Sequence, residues 1–423
     1  MSIRKSAIYL LLVGVLMITF GAGYIAYPLL HGTTLPSSSH FLQNLGGQDM
    51  NVYWEAWKLL DRDFYGEKPD SESRMYGAVR GMVESFHDPY TYFVEPEARE
   101  LERDEMRGSF GGIGAGIEQS DEGYLLRPNP NQPAELAGIQ DGDLLLMIGD
   151  KEIGADTPLD EVIRLVRGPV GTTVTLLIRR TAEDASSEEL TFQVQRAEIE
   201  TPSVRWRIAE SAAPGPSVGY IEHSVFTERS PEEMRRAIEE LSEQGADSFV
   251  LDMRGNTGGL VSSALAIADM WLDEGVILIE EDADGEEKVF SAEPETLRSD
   301  APLVVLVDGN SASASEIVAG ALRDNGRAIL VGQKTYGKGS VQLVHELSDE
   351  SSLHVTNAQW LTPDRVQITG MGLDPDIPVN EGDDSLKVAV AQAQGQALAR
   401  ADTLESDATN AGAPALQSTP HSE

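Results

Sequence analysis

Three serines within five residues, Ser311, Ser313 and Ser315, follow a short β-branched run from Leu303 to Val307. The small residues around them allow a sharp turn, and Glu316 to Leu322 reads as helix. A serine at a strand-to-helix turn holds its hydroxyl at a helix N-terminus, where free backbone N–H groups face whatever sits beside it. Such donors are what a developing oxyanion needs. Serine is a weak nucleophile and requires a base, and histidine is in short supply, with seven in the chain. A neutral lysine can take that role. Bringing a lysine from about 10.4 to near 7.5 costs roughly 4 kcal/mol, which burial in an apolar site can impose. Two lysines stand downstream, Lys334 and Lys338, and Lys338 alone is flanked by glycines, Gly337 and Gly339, which would let the backbone come close to the serine turn. Residue types and spacing leave the choice among the three serines, and between the two lysines, open.

The order of these residues carries a resemblance. The run Ser311-Ala312-Ser313-Ala314-Ser315-Glu316-Ile317, then Ala319-Gly320-Ala321-Leu322, Arg327-Ala328, Gly332 and Thr335-Tyr336-Gly337-Lys338-Gly339, resembles the C-terminal processing (tail-specific) serine proteases. The resemblance implies Ser313 as nucleophile, Lys338 as base and Gln342 as the residue that holds the lysine amine. The segment Leu251-Asp252-Met253-Arg254-Gly255-Asn256-Thr257-Gly258-Gly259 is similar to that family's Leu-Arg-x-Asn-x-Gly-Gly loop. By resemblance it supplies one oxyanion N–H, from Gly258 ahead of Gly259, opposite the N–H of Ala314.

The elements that position these groups can be read outward. Residues 6–30 carry no charge and are long enough to span a bilayer. With Arg4 and Lys5 before them, they predict a signal-anchor (residues 1–30) with the remainder outside the cytoplasm, and a cleaved signal peptide is the competing reading. A Ser-, Pro- and Gly-rich linker follows (31–48). Helical spacing of Val52, Trp54, Trp57, Leu60 and Phe64, and of Met75, Val79, Met82 and Phe86, predicts a small helical unit (49–105) with these residues as its core.

Residues 106–196 are similar to a PDZ domain, in which a glycine-rich loop receives a peptide's terminal carboxylate while the peptide adds a strand to a sheet edge. Gly112, Ile113 and Gly114 are then the peptide-binding residues. The loop does not open a helix, as a dinucleotide fingerprint must. Arg167, in Arg167-Gly168-Pro169-Val170-Gly171-Thr172, matches a run of the family that implies a coupling role between PDZ and active site, with a surface arginine before a turn as the equal alternative.

Strands and helices then alternate through the protease domain (197–400), which predicts α/β architecture. The resemblance gives it a crotonase- or ClpP-like fold. Arg365-Val366 stands where the family has Gly-Arg, so the local turn there is expected to differ. Residues 401–423 predict a disordered tail.

The 423 residues have a net charge of −38 and no cysteine. This balance argues against nucleic acid as a partner, because phosphate binding rests on Lys and Arg. It also excludes thiolate catalysis and thiolate metal sites. No His-Glu-x-x-His or other close metal spacing occurs, His223, His345 and His354 on predicted strands read as structural, and no cofactor is expected. The whole reads as a multidomain α/β serine endopeptidase that recognises substrate C-termini through its PDZ domain, compatible with self-association and an activator or adaptor protein. A noncatalytic PDZ scaffold and, more remotely, a crotonase-type acyl-CoA enzyme are the alternatives.

Overall fold

The computed structural model describes residues 50–182, 186–210, 214–294, 297, 298, 300–380 and 382–411. The predicted signal-anchor, the linker and residues 412–423 lie outside the described residues. Among those described, no helix is long and apolar enough to cross a membrane. The chain divides into two compact units, residues 1–75 and 76–423.

In the first unit, α1 (Asn51–Asp63) is a helix as its spacing predicts, yet it buries no residue. Val52, Trp54, Leu60 and Phe64 are exposed, so the expected core is absent here. Local contacts support the helix instead: the Tyr53 and Trp54 rings meet edge to face at 5.0 Å, and the Arg74 guanidinium sits 4.2 Å over Trp57. The next helix, α2 (Ser71–Glu84), buries Tyr76 and Val83 and leaves the predicted Met75, Met82 and Phe86 exposed. Tyr76 wins the inner face because its ring packs 5.4 Å from Phe93 while its hydroxyl donates to Asp349.

The second unit begins its ordered path with β1 (Tyr92–Val94), α3 (Pro96–Arg107) and β2 (Ser109–Gly112). Although β1 falls in the stretch predicted to be helical, it pairs with a strand far along the chain (residues 352–354). A left-handed glycine, Gly108 at φ 74°, ends α3 and turns the chain into β2. A separate sheet follows in the stretch expected to be a PDZ domain, built from β3 (Ala115–Ser120), β4 (Gly123–Pro128), β5 (Asp143–Ile148), β6 (Lys151–Glu152), β7 (Thr173–Thr181) and β8 (Ser187–Gln195). It carries α4 (Pro133–Ala137) and α5 (Leu159–Val166). Tyr124, Leu126, Leu145, Leu176, Ile178, Val162 and Val166 fill its core. The strand β9 (Ala197–Glu200) returns to pair with β2, so a two-stranded ribbon brings the chain into this domain and out of it.

The chain continues with β10 (Val204–Ile208), β11 (Val218–His223), α6 (Ser230–Glu243), β12 (Ser248–Asp252), α7 (Val261–Asp269), β13 (Val276–Asp282) and β14 (Glu287–Ser291). Then come β15 (Leu303–Val307), α8 (Ala314–Asp324), β16 (Ala328–Gly332), β17 (Ser340–Glu346), β18 (Ser352–Leu361), β19 (Ile377–Pro378) and α9 (Ser385–Ala411). One sheet runs β10-β11-β12-β15-β16-β19, parallel from β11 onward. All five residues of β15 are buried, as a strand covered on both faces requires. Val305 and Val307 join the core under α6, α7 and α8. Val304 and Leu306 join the opposite core with Ala389, Val390 and Ala393 of α9. A second sheet, β1-β18-β13-β14 with β17 on the other edge of β18, contributes Leu278 and Trp360 to the core that holds α7 and α8. The helix α9 continues to Ala411, so the stretch expected to be disordered from Ala401 starts as helix.

At the departure from the family pattern, Arg365 adopts φ 62°. A glycine reaches this conformation without a Cβ penalty, and here the arginine takes it while its guanidinium pairs in bidentate fashion with Glu287 at 2.8 Å.

Candidate active site

Ser313 lies between β15 and α8 and is the N-cap of α8, with φ 56° and ψ −114°. A non-glycine residue at such angles is strained and persists only where its surroundings hold it. They do so through Glu316, which is fully buried. Its Oε2 accepts the backbone N–H of Ser313 at 2.9 Å and that of Lys338 at 2.9 Å. Its Oε1 accepts the Gly337 N–H at 2.8 Å and the Thr335 hydroxyl at 2.5 Å. One carboxylate therefore ties the serine turn to the lysine loop. Thr335 is fixed in turn by the Leu373 N–H at 2.7 Å.

The rival serines are spent internally. Ser311 Oγ donates to the Met253 carbonyl at 2.8 Å, Ser315 Oγ donates to the Asn256 carbonyl at 2.8 Å, and both residues are fully buried. Ser313 is the one of the three that lines a cavity of about 680 Å³, together with Lys338, Gln342, Gly258 and Gly259. Lys334 lies elsewhere, paired with Asp374 at the surface. Among histidines, His223 is fully buried and burial pushes it down to about 4. His354 lines the far end of the cavity and is engaged with Glu102 at 3.3 Å.

Burial lowers the pKa of the Lys338 amine from its ordinary value, and the nearby negative charge of Glu102 opposes this. The amine stands over the Tyr90 ring, 5.4 Å from its centroid, and is not hydrogen-bonded to Ser313. Gln342 departs from its expected role: its side-chain amide donates to the Tyr90 carbonyl, so it reaches the lysine's surroundings without bonding the amine. The glycines flanking Lys338 also serve a different contact from the one expected. A Cβ on Gly339 would come within 2.6 Å of Thr369 Oγ1, and one on Gly337 within 3.0 Å of Gly372 N, so it is the 368–372 loop that needs the close approach.

On the other wall, Gly258 sits at φ 110°, where a Cβ would come within 2.8 Å of Ser313 Cβ and 3.2 Å of the Ala314 N. The loop thus lies directly against the Ser313 turn. The Ala314 N–H opens α8 and is free of the helical ladder. The Gly258 N–H, expected as the second donor, is taken by Asn256 Oδ1 at 2.9 Å. The Gly259 N–H has no acceptor among the described residues.

The PDZ residues fall apart from this cavity. Gly112 pairs with Ala197 in the ribbon, Ile113 is buried with its carbonyl accepting the Ala134 N–H, and the Gly114 carbonyl accepts the Asn129 N–H. After them β3 bonds only β4, which leaves its other edge open. Arg167 stacks 3.9 Å over Phe110 and lines a cavity between α3 and α5, not the one at Ser313. It is α3 that faces both: Arg99, Glu102, Arg103 and Met106 line the Ser313 cavity, and Ala98, Leu101 and Asp104 line that of Arg167. Sequence reasoning missed Glu316, Thr335, Glu102 and Tyr90. For Glu316 a signal existed, an acid three residues after an N-cap serine. Thr335 stands three residues before Lys338 in the same motif, whereas Glu102 and Tyr90 come from elements distant in the chain.

Comparison with known proteins agrees with this architecture. Residues 217–379 match the model of peptidase family S41, and residues 125–180 match that of a PDZ domain. The chain is 37% identical over 347 residues to a carboxyl-terminal-processing protease of Synechocystis sp., covering 80% of this chain and 79% of the relative. It is 33% identical over 376 residues to a probable CtpA-like serine protease of Staphylococcus haemolyticus, covering 88% of this chain and 72% of the relative. Among solved structures, a photosystem II D1 C-terminal processing protease is similar at 30% identity and TM-score 0.46, over 78% of this chain and 92% of that one. The chain belongs to peptidase family S41, among its PDZ-containing carboxyl-terminal-processing serine proteases.

Proposed function

We propose that the protein is a Ser-Lys endopeptidase which takes hold of substrate C-termini through its PDZ domain and cleaves upstream of them, outside the cytoplasm, anchored by residues 1–30. One observation carries the catalytic part of this reading: Ser313 and Lys338, from separate elements, hang by their N–H groups on one oxygen of buried Glu316 and line one cavity.

In the proposed reaction the neutral Lys338 amine turns off the Tyr90 ring and takes the Ser313 proton as Oγ attacks the scissile carbonyl. The carbonyl oxygen becomes an oxyanion held by the Ala314 N–H and a donor of the 258–259 loop. Collapse expels the amine, which leaves with the proton from Lys338. Water then attacks the acyl-serine with the same lysine as base, and the acid is released. The wall formed by Leu260, Val261, Leu278, Ile317, Val341 and Trp360 suits an apolar side chain next to the scissile bond. The open edge of β3 suits the addition of a substrate tail as a strand, with its carboxylate at the Gly112-Ile113-Gly114 loop. The helix α3, shared by both cavities, is the route by which Arg167 and the PDZ domain bear on the site.

The test is time-resolved cleavage of an unfolded protein with an apolar C-terminus by wild type, Ser313→Ala and Lys338→Ala. Cleavage by wild type and its loss in both variants are expected. Equal activity in all three would overturn the assignment.

A further inference from the structure

Asn256, in the loop after β12, is fully buried, and its polar groups are distributed over three parts of the fold. Its Nδ2 donates to the His223 carbonyl at 2.9 Å, at the end of β11. Its backbone carbonyl accepts the Ala312 N–H at 3.0 Å and the Ser315 hydroxyl at 2.8 Å, one on each side of Ser313. Its Oδ1 accepts the Gly258 N–H at 2.9 Å. The last bond turns that N–H back into the loop. The peptide before Gly259 is confined from the other side too, since the Gly258 carbonyl accepts the Phe226 N–H at 2.9 Å and a Cβ on Gly259 would come within 2.2 Å of the Phe226 carbonyl. With both sides fixed, the next N–H along the chain, that of Gly259, is left with no acceptor among the described residues, and Gly259 lines the cavity together with Ser313.

We infer that Asn256 is a positioning residue of the oxyanion site: by holding the Gly258 N–H it orients the loop so that the Gly259 N–H, with that of Ala314, receives the oxyanion. The inference rests on the Ser313 reading above and deepens it. Asn256 touches no substrate; it acts through the glycine. A group that acts this way affects the tetrahedral state and spares ground-state binding.

The test compares full-length wild type, Asn256→Ala and Asn256→Asp, using a peptide aldehyde, which forms a tetrahedral adduct with the serine, and the matching product peptide acid. For Asn256→Ala we expect kcat to fall by about 10² to 10³, the range for loss of one oxyanion donor. Aldehyde affinity should fall in step, with KM and product-peptide affinity within about threefold of wild type. Asn256→Asp keeps the oxygen that receives the Gly258 N–H, and when protonated it also restores the donor to the His223 carbonyl. Its kcat relative to wild type should therefore climb as pH falls, and this readout stands if the alanine variant does not fold. Parallel losses of product and aldehyde binding, or an aldehyde affinity unchanged in a folded Asn256→Ala, would overturn the inference alone. A wild type that cleaves substrate yet forms no aldehyde adduct at Ser313 would overturn both the inference and the reading beneath it.

Discussion

Replacement of Glu316 separates a hydrogen-bonding clamp from a charge effect. The carboxylate receives four donors, two on each oxygen. Glu316→Gln can keep its carbonyl towards Ser313 N and Lys338 N and turn its amide towards Thr335, whose oxygen can accept. In that orientation two donors, the Gly337 N–H and the Thr335 hydroxyl hydrogen, lose their acceptor, at about 1–3 kcal/mol for each unsatisfied buried group. The two remaining bonds weaken because a neutral acceptor replaces an ionised one. Glu316→Ala strands all four, about 4 kcal/mol at the low end of the same scale. It also frees the serine turn from the lysine loop, and a misplacement of about 1 Å can cost roughly 10²-fold in rate. Thermal melts and kcat/KM on an unfolded protein substrate read both effects. The glutamine variant is expected to fold and to lie within about tenfold of wild type, and the alanine variant to lose stability and at least about 10² in kcat/KM. A folded Glu316→Ala within threefold of wild type would refute the clamp, and equal losses in both variants would mean that the charge, not the bonding pattern, is what matters.

Further expectations concern the base, the loop and the PDZ junction. Because burial holds the Lys338 amine below its ordinary value, kcat/KM should rise with pH through that lowered pKa as the neutral base forms. The same depression makes the charged lysine a burden on the fold at lower pH, and stability recovers as pH climbs from the folded value towards the 10.5 of an unperturbed lysine. Lys338→Met should then be inactive yet melt higher than wild type at neutral pH, with the difference shrinking towards alkaline pH in calorimetric scans. Gly258→Ala should reduce kcat by about 10² or more, as its Cβ would press to 2.8 Å from Ser313 Cβ; a wild-type kcat would show that the loop can yield. Arg167→Ala, which removes the stack on Phe110, should slow cleavage of tailed proteins at least threefold while leaving a short peptide ester untouched. Equal effects on both substrates would argue against a junction role.

Much of this arrangement was legible in the sequence because it is local. A β-branched run between small residues can be only a buried strand entering a tight turn, and Leu303–Val307 followed by α8 is what forms. The serine and lysine motifs were legible for the same reason. What decides among Ser311, Ser313 and Ser315 is not local: the acceptors that occupy two of them belong to the loop after β12. The surroundings of Lys338 are likewise assembled from Tyr90, Glu102 and Gln342, up to about 250 positions away in the chain. The misread helix faces share this cause. Periodicity finds an apolar stripe, but only a partner decides which side is covered, and for α2 the partner Phe93 selects Tyr76. At Arg365 the chain takes a left-handed conformation that the residue type does not announce.

The most direct test of the central claim is acid-quench trapping of the acyl-enzyme from a peptide ester, with the modified residue mapped by mass spectrometry in wild type and Lys338→Ala. An acyl group on Ser313 is expected in wild type, forming faster as pH rises, with almost none in the lysine variant. An acyl group on Ser311 or Ser315, or one that forms on Ser313 at an unchanged rate without Lys338, would contradict it.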